Sequence, residues 1–85
     1  ICGLTYKKNV ADLRNSLSLK IFRKLKQQKF YGYDPLINEK KARSEGIITK
    51  YSKFSKFDVY IVLTEHTLLS KQIKRLKKKV IIYPI

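Results

Sequence analysis

The chain has few of the residues that build disulfides, metal sites and nucleophilic catalytic centres. Its 85 residues include one cysteine, Cys2, and one histidine, His66, and they include no methionine and no tryptophan. A single cysteine cannot form an internal disulfide, and Cys2 has no partner at a metal-binding spacing. We therefore expect an intracellular chain without a bound metal and without a Ser/His/Asp or Cys/His catalytic set.

Glycine and long apolar runs are also scarce. The three glycines, at positions 3, 32 and 46, cannot form a G-x-G-x-x-G dinucleotide fingerprint, and no P-loop is present. No apolar run approaches the roughly 18 residues of a membrane span, and no segment has the pattern of a signal peptide. Because the chain begins within one apolar strand and ends on another, we expect a single domain, residues 1–85, from a longer protein.

Acidic residues are the third scarcity. Six Asp and Glu residues stand against twenty Lys and Arg, which gives a net charge of +14. A net positive charge of this size indicates nucleic acid as a candidate partner. The densest basic run, residues 71–79, falls late in a predicted helix, where positive charge also favours the helix C-terminus. We interpret the excess of Lys and Arg as solvated side chains on the surface. A basic nucleic-acid-binding module is the alternative.

Apolar periodicity predicts that strands and helices alternate along the chain. Predicted strands cover residues 1–5, 29–33, 46–49, 58–63 and 80–83. Predicted helices cover residues 16–28, 50–56 and 68–78, and residues 36–45 form a loop or one irregular helix. The first strand and the last two are apolar enough to be buried in a parallel sheet.

The first predicted helix has an apolar side at helical spacing. Leu17, Ile21 and Leu25 recur at intervals of four residues, and Asn15 or Ser16 is a suitable N-cap. Two further apolar residues, Leu19 and Phe22, widen this stripe. We therefore expect these residues to face the core.

Crossover helices between apolar strands predict a small Rossmann-like α/β domain with three layers and a mostly parallel sheet. Such sheets bind ligands at the carboxyl ends of their strands. Tyr6, Lys7, Asp34 and residues 64–66 all follow predicted strands, so we expect them to gather at that edge. Asp34 precedes Pro35, and this pair is expected to end its strand.

Residues 3–16 combine features that suit an anion. A strand runs into a loop with the lysine pair Lys7 and Lys8, and a helix start follows. The free N–H groups and positive dipole end of a helix attract phosphate, and a lysine adds a full charge. This segment therefore predicts a phosphate-binding site.

The same segment, Gly-Leu-Thr-Tyr-Lys-Lys-Asn-Val-Ala-Asp-Leu-Arg-Asn-Ser, resembles the signature G-L-A-[FY]-K-x-[ND]-[TV]-x-D-x-R-E-S-P. That signature opens the C-terminal domain of the UDP-glucose/GDP-mannose dehydrogenase family. Two later landmarks occur in the family's order. Residues 33–35 are similar to its Y-D-P, and residues 58–66 are similar to its D-x-x-[VI]-[VI]-x-T-x-H. The resemblance covers nearly the whole chain.

This resemblance implies a function for the parent protein. Family members oxidise the C6 hydroxyl of a nucleotide sugar to a carboxylate with NAD, in the cytoplasm and commonly as homodimers. NAD and the catalytic cysteine belong to other domains, while the C-terminal domain holds the UDP part of the substrate. We therefore expect a UDP-sugar as partner, of the UDP-glucose or UDP-N-acetylhexosamine type, and no catalytic residue in these 85. A non-catalytic remnant with an interaction role is a further alternative.

The resemblance also assigns site residues. Tyr6 and Lys7 match the family's aromatic–lysine pair at the nucleotide, where Lys7 pairs with the diphosphate or the sugar and Tyr6 supplies packing or a backbone contact. Arg14 matches the arginine of the D-x-R motif, and it is either a ligand contact or a structural ion pair with Asp12. His66 is expected to be structural, at the turn after its strand.

Overall fold

Helices and short parallel strands alternate along residues 1–83, the part of the chain that the computed structural model describes. A turn of 3₁₀-helix, Lys26–Gln28, follows the first α-helix. The elements are α1 (Leu17–Leu25), β1 (Gly32–Tyr33), α2 (Glu39–Glu45), β2 (Ile47–Ile48), α3 (Tyr51–Phe54), β3 (Val59–Val62), α4 (Thr67–Leu76) and β4 (Lys79–Ile82).

The strands form two parallel ladders that meet at one residue. β1 pairs with β2, and β3 pairs with β4. Cys2 bridges both inner strands in parallel, opposite Tyr33 of β1 and Val62 of β3. The spatial order is therefore β2, β1, Cys2, β3, β4, with the start of the chain at the centre. In chain order this is 3-2-1-4-5, a doubly wound order with strands on both sides of the first segment, and it confirms the predicted Rossmann-like α/β architecture.

The predicted strand over residues 1–5 is reduced to this bridge. The Cys2 N–H donates to the Ile61 carbonyl (2.7 Å), and the Gly3 N–H donates to the Tyr33 carbonyl (3.0 Å). Gly3 then turns into the left-handed region at a φ of 80°. Regular extended geometry cannot continue through that conformation, so the ladder ends there.

Helices cover both faces of the sheet, as the crossover pattern predicts. One apolar cluster lies beside α1 and α2, and its buried members are Leu4, Leu19, Phe22, Ile37, Ala42 and Ile47. The other lies beside α3 and α4, and its buried members are Cys2, Tyr33, Phe54, Tyr60, Val62 and Leu69. Phe54 stacks on Tyr33 at 3.8 Å and meets Tyr60 edge-on at 4.8 Å between ring centroids, a favourable aromatic geometry.

The predicted apolar stripe of α1 is confirmed for Leu19 and Phe22 and wrong for Leu17. Leu19 and Phe22 are buried, whereas Leu17 is 53% exposed and Ile21 and Leu25 are only half-buried. The Ser18 hydroxyl lies 2.8 Å from the Thr64 hydroxyl, so a polar contact faces the sheet next to Leu19. Ser16 is the N-cap, as predicted, because its hydroxyl accepts the Leu19 N–H at 3.0 Å.

Two other boundaries differ from prediction. The predicted strand over residues 29–33 begins only at Gly32, because Lys29 adopts a left-handed φ of 67° after the 3₁₀ turn. Of the two alternatives for residues 36–45, a loop or one irregular helix, the structure has the helix, which is regular over residues 39–45. Asn38 caps that helix by accepting the Lys41 N–H at 2.8 Å, and Gly46 ends it in the left-handed region.

The last two strands are less buried than their apolar composition predicts. In β3, Val59 is 49% exposed while Tyr60 and Val62 are buried. In β4, Ile81 and Ile82 are 43% and 54% exposed, because β4 lies at the edge of the sheet. Within residues 1–83, no helix combines the length and hydropathy that a membrane crossing requires.

Replacement of Gly3 by alanine is expected to destabilise the fold severely. A Cβ built at Gly3 lies 2.0 Å from the Thr64 carbonyl oxygen, a backbone atom that cannot move without breaking the sheet. The clash and the left-handed φ together predict a loss of about 3 kcal/mol or more in the free energy of unfolding. Urea denaturation of Gly3→Ala measures this loss.

Gly46→Ala is the matched control, since Gly46 has a similar φ of 71° but its Cβ would meet only the Lys26 ammonium at 3.9 Å. This variant is expected to lose about 1 kcal/mol. Equal losses in the two variants would contradict the close approach of Gly3 to Thr64.

Candidate functional site

A cleft lies where the sheet order reverses, between Cys2 and β3 at the carboxyl edge. From Cys2 the chain crosses to β1 on one side, and it later returns to β3 on the other. The loops after the two central segments therefore diverge and leave a groove, the usual ligand position in such sheets. The cleft has a volume of about 310 Å³ and is lined by Tyr6, Lys7, Lys8, Leu17, Ser18, Leu63, Thr64 and Glu65.

The walls of this cleft are cationic and apolar. Lys7 and Lys8 are exposed at its mouth, and Tyr6, 58% exposed, and Leu17 present apolar surface beside them. Glu65 is the single acidic residue of the lining. Because α1 begins at Leu17, its positive dipole end also faces the cleft. The arrangement suits a ligand that combines an anionic group with a flat or apolar group.

Two hydroxyls close the floor of the cleft. The Thr64 hydroxyl donates to the Thr5 carbonyl at 3.1 Å, so it accepts from the Ser18 hydroxyl at 2.8 Å. Both hydroxyl protons are therefore engaged within the protein. Among residues 1–83, the side-chain donors of the lining that are exposed and make no hydrogen bond are the ammonium groups of Lys7 and Lys8 and the Tyr6 hydroxyl.

Arg14 lies apart from Tyr6 and Lys7. It lines a separate cleft of about 460 Å³ on the α1–α2 face of the sheet. Its guanidinium bonds to both carboxylate oxygens of Asp12, at 3.1 and 3.0 Å, and its backbone N–H adds a third bond at 2.9 Å. These bonds hold the pKa of Asp12 below its ordinary value. The ion pair that the sequence offered as one role for Arg14 is therefore present.

The larger cleft is a weaker candidate for an anion. Its second arginine, Arg23, pairs with Glu45 at 2.6 Å, so both guanidinium groups of the lining already have carboxylate partners. An incoming anion would have to displace those carboxylates to reach the arginines, although two exposed lysines of the lining, Lys20 and Lys41, form no ion pair within residues 1–83. The cleft at the switch point carries no such pair on Lys7 or Lys8.

Beneath the switch-point cleft lies a fully buried polar network. His66 Nε2 lies 3.0 Å from Oδ2 of Asp34 and 3.1 Å from the Thr5 hydroxyl. Asp34 also accepts the Leu4 N–H (2.7 Å) and the Leu36 N–H (2.8 Å). Asp34 and residues 64–66 therefore gather at the carboxyl edge as predicted, but Asp34 and His66 lie below the cleft rather than at its surface. These contacts agree with the structural role expected of His66.

The contacts assign the tautomer of His66. The backbone N–H of Asn9 donates to Nδ1 at 2.8 Å, so Nδ1 carries no proton. The proton is on Nε2, which donates to Asp34 and Thr5. The Thr5 hydroxyl in turn donates to the Lys7 carbonyl at 3.0 Å. Every polar atom of the ring is therefore satisfied with a neutral imidazole.

Sequence reasoning did not find the parts played by Thr5 and Asn9. The signal for Asn9 is weak. Asparagine is one of the few residues that tolerate positive φ, and Asn9 has a φ of 61°. No pattern in the neighbouring sequence predicts the contact between Asn9 and Thr67. In the structure the Thr67 N–H donates to Asn9 Oδ1 at 2.7 Å, and the two residues are 58 positions apart.

The residues described, 1–83, contain no cluster of three or more His, Cys, Asp or Glu side chains arranged to hold a metal ion. Cys2 is a free, buried thiol, and burial raises its pKa to about 11. A thiol with that pKa is protonated at neutral pH and is a poor nucleophile.

A doubly wound sheet with a cationic cleft at its switch point is typical of nucleotide-binding α/β domains. The chain matches the model described as UDP-glucose/GDP-mannose dehydrogenase family, UDP binding domain, over residues 1–85. The chain therefore belongs to this family and corresponds to its UDP-binding domain. No curated protein and no solved structure matches it.

Replacement of Asp34 by asparagine is expected to destabilise the domain. Both carboxylate oxygens accept N–H groups, whereas an amide has one oxygen, so its NH₂ must face a buried donor. One unsatisfied buried group costs about 2 kcal/mol. Asp58→Asn is the matched control, because Asp58 is exposed. Urea denaturation compares the two, and equal free energies of unfolding would contradict the role of Asp34.

Proposed function

We propose that the switch-point cleft binds the UDP part of a nucleotide sugar. The observation that carries this proposal is the position of Lys7, exposed at the mouth of a cleft that α1 enters with its N-terminus. Lys7 contributes a charge-assisted bond to the diphosphate, and Tyr6 packs against the nucleoside or contacts it through its backbone. Family membership supports the choice of UDP.

Arg14 is proposed as a second contact to the UDP part of the ligand. Its side chain is 87% exposed, but it is already paired with Asp12, so a phosphate must share or displace that carboxylate. The effect of Arg14→Ala on UDP affinity is therefore expected to be smaller than that of Lys7→Ala.

We further propose that this domain works within a longer NAD-dependent UDP-sugar 6-dehydrogenase that forms homodimers in the cytoplasm. That enzyme oxidises the C6 hydroxyl of a UDP-glucose or UDP-N-acetylhexosamine type of sugar to a carboxylate. The proposal extends the family's dehydrogenase activity to this chain. The 85 residues contribute substrate binding alone, since their one thiol, on Cys2, is buried and protonated.

NAD itself does not fit the residues of this domain. A dinucleotide site needs a glycine-rich turn between the first strand and its helix, so that the backbone can approach the pyrophosphate. The turn here, residues 4–16, contains no glycine and carries the bulky residues Tyr6, Lys7 and Lys8. We therefore assign NAD to other domains of the parent enzyme.

The nucleic-acid alternative has less support from the basic run at residues 71–79. Lys78, within that run, donates to the Ser55 and Phe57 carbonyls at 2.7 and 2.6 Å. One of its six charges therefore has an internal structural role. Lys74 and Arg75 lie in the last turn of α4 and Lys77 directly follows it, as helix-end charges do, while Lys71 lies mid-helix and Lys79 begins β4.

Titration with UDP, and separately with ATP, tests the proposal by amide NMR shifts at moderate salt. UDP is expected to shift the amides of residues 3–16 selectively. Lys7→Ala should weaken UDP binding about tenfold, the effect of one charge-assisted bond. Lys24→Ala is the matched control, because it removes one exposed positive charge from α1, outside the lining of the cleft.

Two results would overturn the proposal that the cleft binds UDP. If both nucleotides shift mainly residues 71–79, and if salt abolishes the shifts, the chain has a nonspecific cationic surface. Equal affinities in Lys7→Ala and Lys24→Ala would likewise show that Lys7 acts only through net charge.

A further inference from the structure

The loop that carries Lys7 is attached to the start of α4 through Asn9. The backbone N–H of Asn9 donates to His66 Nδ1 at 2.8 Å. The Asn9 side chain accepts the Thr67 N–H at 2.7 Å and donates to the Thr67 hydroxyl at 3.0 Å. The loop cannot move away from α4 without breaking these three bonds.

The left-handed conformation of Asn9 shows how strongly the loop is constrained. A non-glycine residue at a φ of 61° persists where its surroundings determine its position. The bond from the Asn9 N–H to His66 is the one that fixes the backbone at this residue, whereas the bonds to Thr67 fix its side chain.

The other side of the His66 ring acts on the same loop. Nε2–H donates to the Thr5 hydroxyl, and that hydroxyl donates to the Lys7 carbonyl at 3.0 Å. Asp34 shares the Nε2 proton at 3.0 Å and holds the ring in place from below. The Thr5 hydroxyl keeps its bond to the Lys7 carbonyl with or without the ring, so the direct hold of His66 on the loop is the bond from the Asn9 N–H.

We propose that His66 is a positioning residue that holds the loop so that Lys7 stands over the switch-point cleft. The proposal rests on the proposed function, in which Lys7 binds the diphosphate of UDP. A lysine side chain is flexible, so the protein can preorganise this contact only by fixing the backbone that carries it. Preorganisation lowers the ordering cost of binding and so raises affinity. His66 acts through Asn9 and does not touch the nucleotide.

A matched pair of variants separates this role from simple packing. Asparagine places its amide oxygen near the position of Nδ1, so His66→Asn keeps an acceptor for the Asn9 N–H. Glutamine places its amide near the position of Nε2, so His66→Gln keeps the contacts to Asp34 and Thr5 and loses the acceptor. Both variants remove the buried ring, but His66→Asn leaves the larger cavity and loses the donor to Asp34, so stability alone would make it the more impaired of the two.

Hydrogen exchange of the Asn9 amide and UDP titration are measured on both variants and on the wild type. His66→Gln is expected to lose protection of the Asn9 amide and to bind UDP about fivefold more weakly, the effect of one net hydrogen bond. His66→Asn is expected to keep that protection. Its affinity for UDP should stay within about twofold of the wild type, a smaller change than the loss of one net hydrogen bond.

Each contrary outcome has its own meaning. If UDP affinity is the same in the two variants while Asn9 protection differs, His66 does not position Lys7, although UDP binding by the cleft stands. If the wild type itself does not bind UDP, the proposed function is overturned, and the positioning role with it.

The wild type alone provides a test that needs no folded variant. The ¹⁵N shifts of the His66 ring distinguish a bare Nδ1 from a protonated one. A bare Nδ1 supports the bond from Asn9. A proton on Nδ1 would overturn the proposal, because the Asn9 N–H would then have no acceptor there.

Discussion

The buried carboxylate of Asp34 is the interaction on which the carboxyl edge of this domain depends. It accepts N–H groups from Leu4, Leu36 and His66, which come from the central segment, the loop after β1 and the loop after β3. A buried charge is tolerated only where hydrogen bonds replace its hydration. The need to satisfy one carboxylate therefore fixes three loops relative to each other, and the cleft lies directly above them.

Acidic residues are few in this chain, and several have defined structural partners. Asp12 pairs with Arg14, Glu45 pairs with Arg23, and Asp34 bonds to the neutral His66 ring. Those carboxylates are not available to neutralise Lys7 or Lys8. The scarcity of acid thus leaves the mouth of the cleft positive, and a positive cleft draws anions toward it.

The order of the elements was predictable from the sequence, because strongly apolar strands and amphipathic helices alternate at short range. The exact face of α1 was not, since Leu17 and Leu19 are equally apolar, whereas in the structure Leu19 packs in the core, Ser18 bonds to Thr64 across the chain, and Leu17 is exposed. Tyr6 and Lys7 were predicted from a local motif. The links from Asn9 to His66 and Thr67 were not, because they join residues 57 and 58 positions apart.

The sheet is continuous across its centre through a single residue, Cys2. Each ladder holds together through its own strand pairing, and within residues 1–83 the main-chain bonds between the two ladders all run through residues 1–3. Side chains add to this connection, because Phe54 packs on both Tyr33 and Tyr60 and the Asp34 carboxylate bonds to His66. Cooperative unfolding depends on such connections. The domain thus consists of two half-sheets, and the cleft lies along the line where they would separate. A ligand that contacts both sides of that line would act as a mechanical clamp on the fold.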